Sequence, residues 1–147
     1  MSMQHIFAGS QISSSGLAAE RTRMEVAANN IANANTTRGT DGEPYRRQRV
    51  TFAASMNQFI GTPGDVSQMG GVRVLGIQPD MSELPQIYDP GHPQANQDGY
   101  VEMSNVQIPH EMVDLMTASR AYEANLKSLQ TFRELAEQAL SLMRGIS

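Results

Sequence analysis

The chain has 147 residues, of which 39% are apolar and only 5% aromatic, with no Trp, no Cys and a formal net charge of −4. So few large core residues point away from a compact enzyme domain and toward an elongated molecule with a modest core. The acidic balance argues against nucleic-acid binding, which needs a basic face. The lack of cysteine excludes disulfides, thiolate metal sites and cysteine nucleophiles.

The N-terminus, Met1-Ser2-Met3-Gln4-His5-Ile6-Phe7, lacks the basic stretch and long apolar run of a cleaved signal peptide. No apolar stretch approaches the length of a membrane span. From about Ile6 to Asn35 there is no proline, and Ala alternates with charged residues in a helical rhythm. Ser10, Leu17, Met24 and Ile31 form a seven-residue row, with Ile6, Ser13, Glu20 and Ala27 close beside it. Many of these residues are small, so the face permits close approach but buries little area and needs a partner. Gly16, inside the pattern, marks either close packing or a short break. The amide cluster Asn29, Asn30, Asn33 and Asn35 can end the helix at Asn35, or can form interhelical or backbone hydrogen bonds in an assembly.

Residues 38–108 are punctuated by Gly and Pro and read as β-rich and irregular. Strands are expected at Tyr45–Ala54, Val72–Ile77, Gln86–Tyr88 and Tyr100–Met103, with a mobile loop over 57–71. The basic cluster Arg46, Arg47 and Arg49 reads as a solvated strand face. Asp89, Asn96 and Asp98, beside Gly91 and Gly99, offer oxygens that could hold Ca²⁺. The spacing departs from an EF-hand loop, however, and the same residue types build turns. His5, His92 and His110 share no ligand-like spacing, and no nucleotide-binding or hydrolase motif is present. No catalytic, cofactor or metal site is assigned.

Pro109–Arg144 is free of internal Pro and Gly and is the strongest helix expected. Leu115, Tyr122, Leu129, Ala136 and Met143 recur every seven residues. Met112, Ser119, Leu126 and Leu140 supply a second row, interrupted by Arg133, in a coiled-coil-like pattern. Pro109 suits the first turn, Glu111 and Asp114 suit the N-terminal dipole, and Gly145 supplies a stop. At 1.5 Å per residue the helix runs roughly 50 Å, too long for one small domain to cover. The fold expected is α+β and mainly helical: terminal segments 1–37 and 109–147 form a coiled-coil-like pair, with a small β-rich middle region inserted between them. The stripes read as assembly surfaces. On the N-terminal helix the interface residues are Leu17, Met24, Ala28, Asn30, Ile31 and Asn33. On the C-terminal helix they are Met112, Leu115, Ser119 and Tyr122, then Asn125, Leu126, Leu129 and Met143.

Ser15-Gly16-Leu17, Arg23-Met24 and the run Ala28-Asn29-Asn30-Ile31-Ala32-Asn33-Ala34-Asn35-Thr36-Thr37 resemble the N-terminal signature of the flagellar axial proteins (rod, hook and hook-associated subunits). Asp41-Gly42, Pro44-Tyr45-Arg46, Tyr88-Asp89-Pro90-Gly91-His92-Pro93 and Gly99-Tyr100-Val101 narrow the resemblance to proximal rod proteins of the basal body. So do Glu111-Met112-Val113-Asp114-Leu115-Met116 and Ala118-Ser119-Arg120-Ala121-Tyr122-Glu123-Ala124-Asn125. The resemblance spans nearly the whole chain except 57–71. Where the family pattern G-Y-V-x-x-P-N-V has Pro, this chain has Ser104, and Pro109 stands where the family typically has none.

The resemblance implies a torque-carrying, non-enzymatic rod subunit in the periplasm, exported through the flagellar type III channel without a cleaved signal peptide. Its implied partners are copies of itself, other rod subunits, membrane-ring or rod adaptor proteins and the export apparatus, with no nucleic acid, small-molecule substrate or cofactor. The alternative from the residues themselves is a secreted module whose middle region holds a ligand or Ca²⁺.

Overall fold

The two proline-free stretches form the two long helices, and the Gly/Pro-punctuated middle forms short strands. The computed structural model describes residues 3–39, 42–56 and 69–144, with side chains described for 9–39, 42–55 and 70–142. Helix α1 spans Met3–Ala32 and helix α2 spans Ile108–Arg144. Between them lie β1 (Gln48–Met56), β2 (Met69–Pro79), β3 (Gln86–Tyr88) and β4 (Tyr100–Glu102). β1 pairs with β2 in one two-stranded sheet, and β3 pairs with β4 in another. The second pair is antiparallel, with Gln86 opposite Glu102, Ile87 opposite Val101 and Tyr88 opposite Tyr100. The mainly helical α+β fold is therefore as expected. The expected mobile loop falls largely on 57–68, outside the described residues, and its last residues Met69–Gly71 belong to β2.

Helix boundaries follow local chemistry. α1 ends earlier than the expected cap at Asn35, because Asn33 takes that role: its Nδ2 donates to the Asn29 carbonyl at 2.9 Å, and its own N–H also reaches Asn29 O. Ser104 accepts the Val106 N–H on its Oγ at 3.3 Å, forming a side-chain turn where the family pattern has proline. α2 then starts at Ile108 with Pro109 in the first turn, where a missing N–H breaks no helical bond. The expected stop at Gly145 lies outside the described residues.

The chain divides into two compact units. The first comprises Met1–Thr22, Phe52–Leu75 and Ala118–Ser147; the second comprises Arg23–Thr51 and Gly76–Thr117. In the first unit the two helical segments run antiparallel, with Gly9 against the Phe132 ring and Gly16 against the Asn125 side chain. Gly16 is a point of close packing, not a break: an added Cβ would stand 2.9 Å from Asn125 Nδ2. Among the described residues, those buried here are small, namely Ser13, Ala19 and Ala118. β2 is drawn onto α1 through Gly71, whose φ of +91° favours glycine. Ser15 Oγ accepts the Val72 N–H at 3.0 Å and donates to Ile12 O at 2.7 Å.

In the second unit the helical segments are again antiparallel, with Arg23 on Asp114 and Asn30 on Glu111. Ala27, Ala34 and Val101 form a small apolar core beside buried Asn30, Ser104 and Glu111. Among the described residues, the largest fully buried side chains are Glu111 and Asn30, both polar. A chain poor in large apolar residues here builds its centre from hydrogen bonds instead.

Candidate functional site: a buried polar centre

Asn30 is 1% exposed and uses every hydrogen-bonding position of its amide. Its Oδ1 accepts the Gln48 N–H at 2.9 Å and the Tyr45 hydroxyl at 3.0 Å. Its Nδ2 donates to Gln48 O and to Glu111 Oε2, each at 2.9 Å. Bonding both backbone groups of Gln48 makes the Asn30 side chain a surrogate strand neighbour for the start of β1. This also fixes the amide orientation, because only an oxygen can receive the Gln48 N–H.

Glu111, 2% exposed, receives Asn30 on one oxygen and the Arg47 Nε on the other. The Arg47 guanidinium also reaches Asp114 Oδ2 and His110 Nδ1, each at 3.3 Å. Arg has no acceptor, so in this contact the guanidinium is the donor and His110 Nδ1 the acceptor. Asn105 secures the Arg47 backbone: its Oδ1 takes the Arg47 N–H at 2.7 Å, and its Nδ2 donates to Asp80 O and Ser82 Oγ. The Ser82 N–H on its carboxylate, aided by its hydroxyl and by Arg49 and Arg47, holds Asp80 below the usual carboxylate range despite some burial.

His110, Glu111 and Asp114 place one ligand atom each within 4.8 Å of one another, the one such cluster among the described residues. Arg47 bonds to all three, so a guanidinium supplies the positive charge that a metal would bring. The Asp89–Gly99 segment is built from turns. Asp89 Oδ1 takes the Gly91 N–H, and Asn96 Oδ1 takes those of Asp98 and Tyr100. The oxygens considered for Ca²⁺ at Asp89 and Asn96 therefore serve the backbone.

The cluster Arg46, Arg47 and Arg49 is not a uniformly solvated face. Arg49 is 65% exposed, but the Arg47 side chain is 21% exposed and pairs with buried Glu111. Sequence reading missed Tyr45, Arg47, Asn105 and Glu111 as a set. The one local signal was the run of amides, which must find partners if buried; Arg47 and Glu111 stand 64 residues apart.

The stripe residues divide between faces. Leu17, Met24, Ile31 and Asn33 are half-buried and Ala28 is exposed. The buried residues of α1 are Ser13, Ala19, Ala27 and Asn30, while Gly9 and Gly16 are half-buried where Phe132 and Asn125 pack close. On α2, Leu115, Ser119, Tyr122, Asn125 and Leu129 are half-buried, as expected of a packed row. Met112 and Leu126 are exposed, at 51% and 40%. Their places against α1 are taken by Glu111 in one unit and Asn125 in the other. The Met143 side chain lies outside those described.

Burial, and then the nearby Glu111 charge, raise the Tyr45 pKa above its ordinary value. A raised acid pKa means the fold prefers the neutral phenol. This contribution is fully present below the unfolded value of about 10 and is lost as pH rises through the folded one. Tyr45→Phe is expected to cost about 1 kcal/mol at neutral pH, from the lost bond to Asn30. It should also flatten the alkaline loss of stability, measured by urea unfolding at pH 8 and above pH 10. Equal alkaline slopes in the two proteins would refute this role.

The buried centre draws on the end of α1, the start of α2 and the strand entry between them. Family comparison falls on the same helices. Residues 11–39 match the model described as Flagella basal body rod protein. Residues 97–142 match that described as Flagellar basal body rod FlgEFG protein C-terminal. The flagellar basal-body rod protein FlgC of Borreliella burgdorferi is 42% identical over 95% of this chain and 99% of its own length. The FlgC proteins of Salmonella typhimurium and Bacillus subtilis are 39% and 37% identical, over 97% and 89% of this chain and 98% and 93% of their own lengths. With near-complete coverage on both sides, the chain belongs to the FlgC family of flagellar basal-body rod proteins.

Proposed function

We propose that the chain is a structural subunit of the proximal rod of the flagellar basal body, assembling through its terminal helices to transmit torque and enclose the export channel. The observation that carries this reading is the near full-length identity to FlgC proteins. The structure supports its mechanical part. α2 leaves Met112, Val113 and Met116 more than half exposed in one unit, and Leu126, Leu135 and Leu140 at least 40% exposed in the other. Apolar rows on a helix that its own chain does not cover suit packing against neighbours.

In this reading the neighbours are copies of the chain, other rod subunits and a membrane-ring or rod adaptor protein. The subunit reaches the periplasm through the flagellar export apparatus without a cleaved signal. No helix among the described residues is long and apolar enough to cross a membrane.

A strain lacking the gene is expected to be non-motile, with basal-body rings but no complete rod by electron microscopy. Complementation with Leu126→Asp should restore export of the subunit but not rods, because a carboxylate on the exposed row opposes apolar packing. Normal swimming and intact rods in the deletion strain would reject the rod function. Normal rods with Leu126→Asp would reject this helical face as the contact.

A further inference from the structure

Two strands in the second unit have edges sealed by asparagine. Asn30 bonds both backbone groups of Gln48 at the start of β1. On β4, Asn96 Oδ1 takes the Tyr100 N–H, and the Asn96 N–H goes to Tyr100 O. Among the described residues β3 has no such cover.

The ladder shows which of its groups face outward. Met103 N–H donates to Pro85 O, and Asp89 N–H donates to Gly99 O. With Ile87 opposite Val101, the alternation of an antiparallel pair turns Ile87 toward β4 and the N–H and C=O of Gln86 and Tyr88 away from it. Among the described residues nothing pairs with those outward groups, and all three β3 residues are exposed, Ile87 at 52% and Tyr88 at 64%. Pro85 and Pro90 flank this edge. They limit pairing to a short window and so restrict both register and run-on association.

The surroundings specify the occupant. A cleft of about 480 Å³ at the Gln86 end is lined by Glu83, Leu84 and Glu102, with Arg46 the one cation. Asp89 stands at the other end of the strand. Arg46 is partly occupied, donating to Ser82 O at 3.1 Å. The edge thus offers two outward backbone donors and two acceptors within an acidic margin.

We propose that β3 is a docking edge on which an extended segment of an adjoining rod subunit, carrying a basic side chain, adds as a third strand. Main-chain bonds to Gln86 and Tyr88 supply the affinity, and the Glu83–Glu102 cleft selects for the basic side chain. The inference rests on the rod reading above and adds to the helical contacts a β contact between subunits.

The test uses Gln86→Pro beside Gln86→Ala. Proline removes an outward N–H and leaves the Ile87–Val101 bonds to β4 in place; alanine keeps the N–H and loses only the side chain. Incorporation into rods is expected to fall about tenfold or more for Gln86→Pro, the equivalent of about 1.4 kcal/mol, and to stay near wild type for Gln86→Ala. Glu83→Lys combined with Glu102→Lys should also lower incorporation. Wild-type incorporation by Gln86→Pro overturns the proposal.

Hydrogen exchange on the wild-type chain gives a readout that does not depend on a variant folding. The Gln86 and Tyr88 amides should exchange quickly in the free subunit and become protected in assembled rods, with the Ile87 amide protected in both. If those two amides stay unprotected in rods that contain the subunit, the β3 contact is wrong and the rod function stands. If the wild-type subunit does not enter rods at all, the rod function itself fails.

Discussion

Glu111→Gln is expected to destabilise the second unit by about 3 kcal/mol, close to the cost of breaking a buried ion pair. The side chain keeps its shape, so the loss is one of hydrogen-bond polarity. Asn30 Nδ2 and Arg47 Nε both donate to this carboxylate, one to each oxygen. A glutamine has one acceptor oxygen and one amide nitrogen, so one of those donors would face another donor in a site 2% exposed. Arg47 keeps Asp114 and partial solvent access, which places the cost at the lower end for a buried pair. Urea unfolding of the monomer, followed by circular dichroism and by exchange of the Gln48 amide, measures it. A loss under about 0.5 kcal/mol, the size of an ordinary surface substitution, would show that the Glu111 charge is not required.

Asn30→Asp is the harsher change. The Oδ1 contacts with Gln48 N–H and the Tyr45 hydroxyl can survive, but Nδ2 is replaced by an oxygen facing Gln48 O and Glu111 Oε2. Two carboxylates would then share a buried site, at a cost of roughly 3–5 kcal/mol at neutral pH. The pH dependence identifies the cause. Charge repulsion and burial raise the folded-state pKa of the new carboxyl above its unfolded value. Its contribution is therefore most favourable at low pH and is lost as pH rises through the folded value. The variant should regain stability relative to wild type as pH falls from 8 toward 5. A deficit that stays constant over that range would mean that the lost amide bonds, and not the carboxylate pair, set the effect. Wild-type stability with Asp at this position would reject Asn30 as the organising residue.

These two residues also show how far the sequence could be read. Proline-free runs with seven-residue periodicity place both helices within a few residues of their observed ends. Val, Ile and Tyr runs bounded by Gly and Pro place the four strands of the described residues. These features are local, because each depends on φ/ψ preferences and on side-chain spacing along a few turns of chain. The N-terminal amide run suggested the flagellar axial proteins, and the ordered set that adds the Tyr88–Pro93 turn and the Glu111–Asn125 stretch narrowed this to the proximal rod family.

Only the tertiary structure decided which face of each helix turns inward. One position is about 100° of rotation on a helix. On α1 the buried residues are Ser13, Ala19, Ala27 and Asn30, whereas Leu17 and Ile31 of the apolar row are only half-buried. Small residues and a fully bonded amide let backbones approach closely, so the inner face is less hydrophobic than the Leu17–Ile31 row beside it. Hydrophobic periodicity cannot reveal this, because it marks every apolar row alike, whether it is covered by the same chain or left exposed like Met112 and Leu126. The polar centre was equally hidden. Its bonds join residues 81 and 64 apart, and neither Glu111 nor Arg47 differs locally from a solvated charge until the fold removes water from between them.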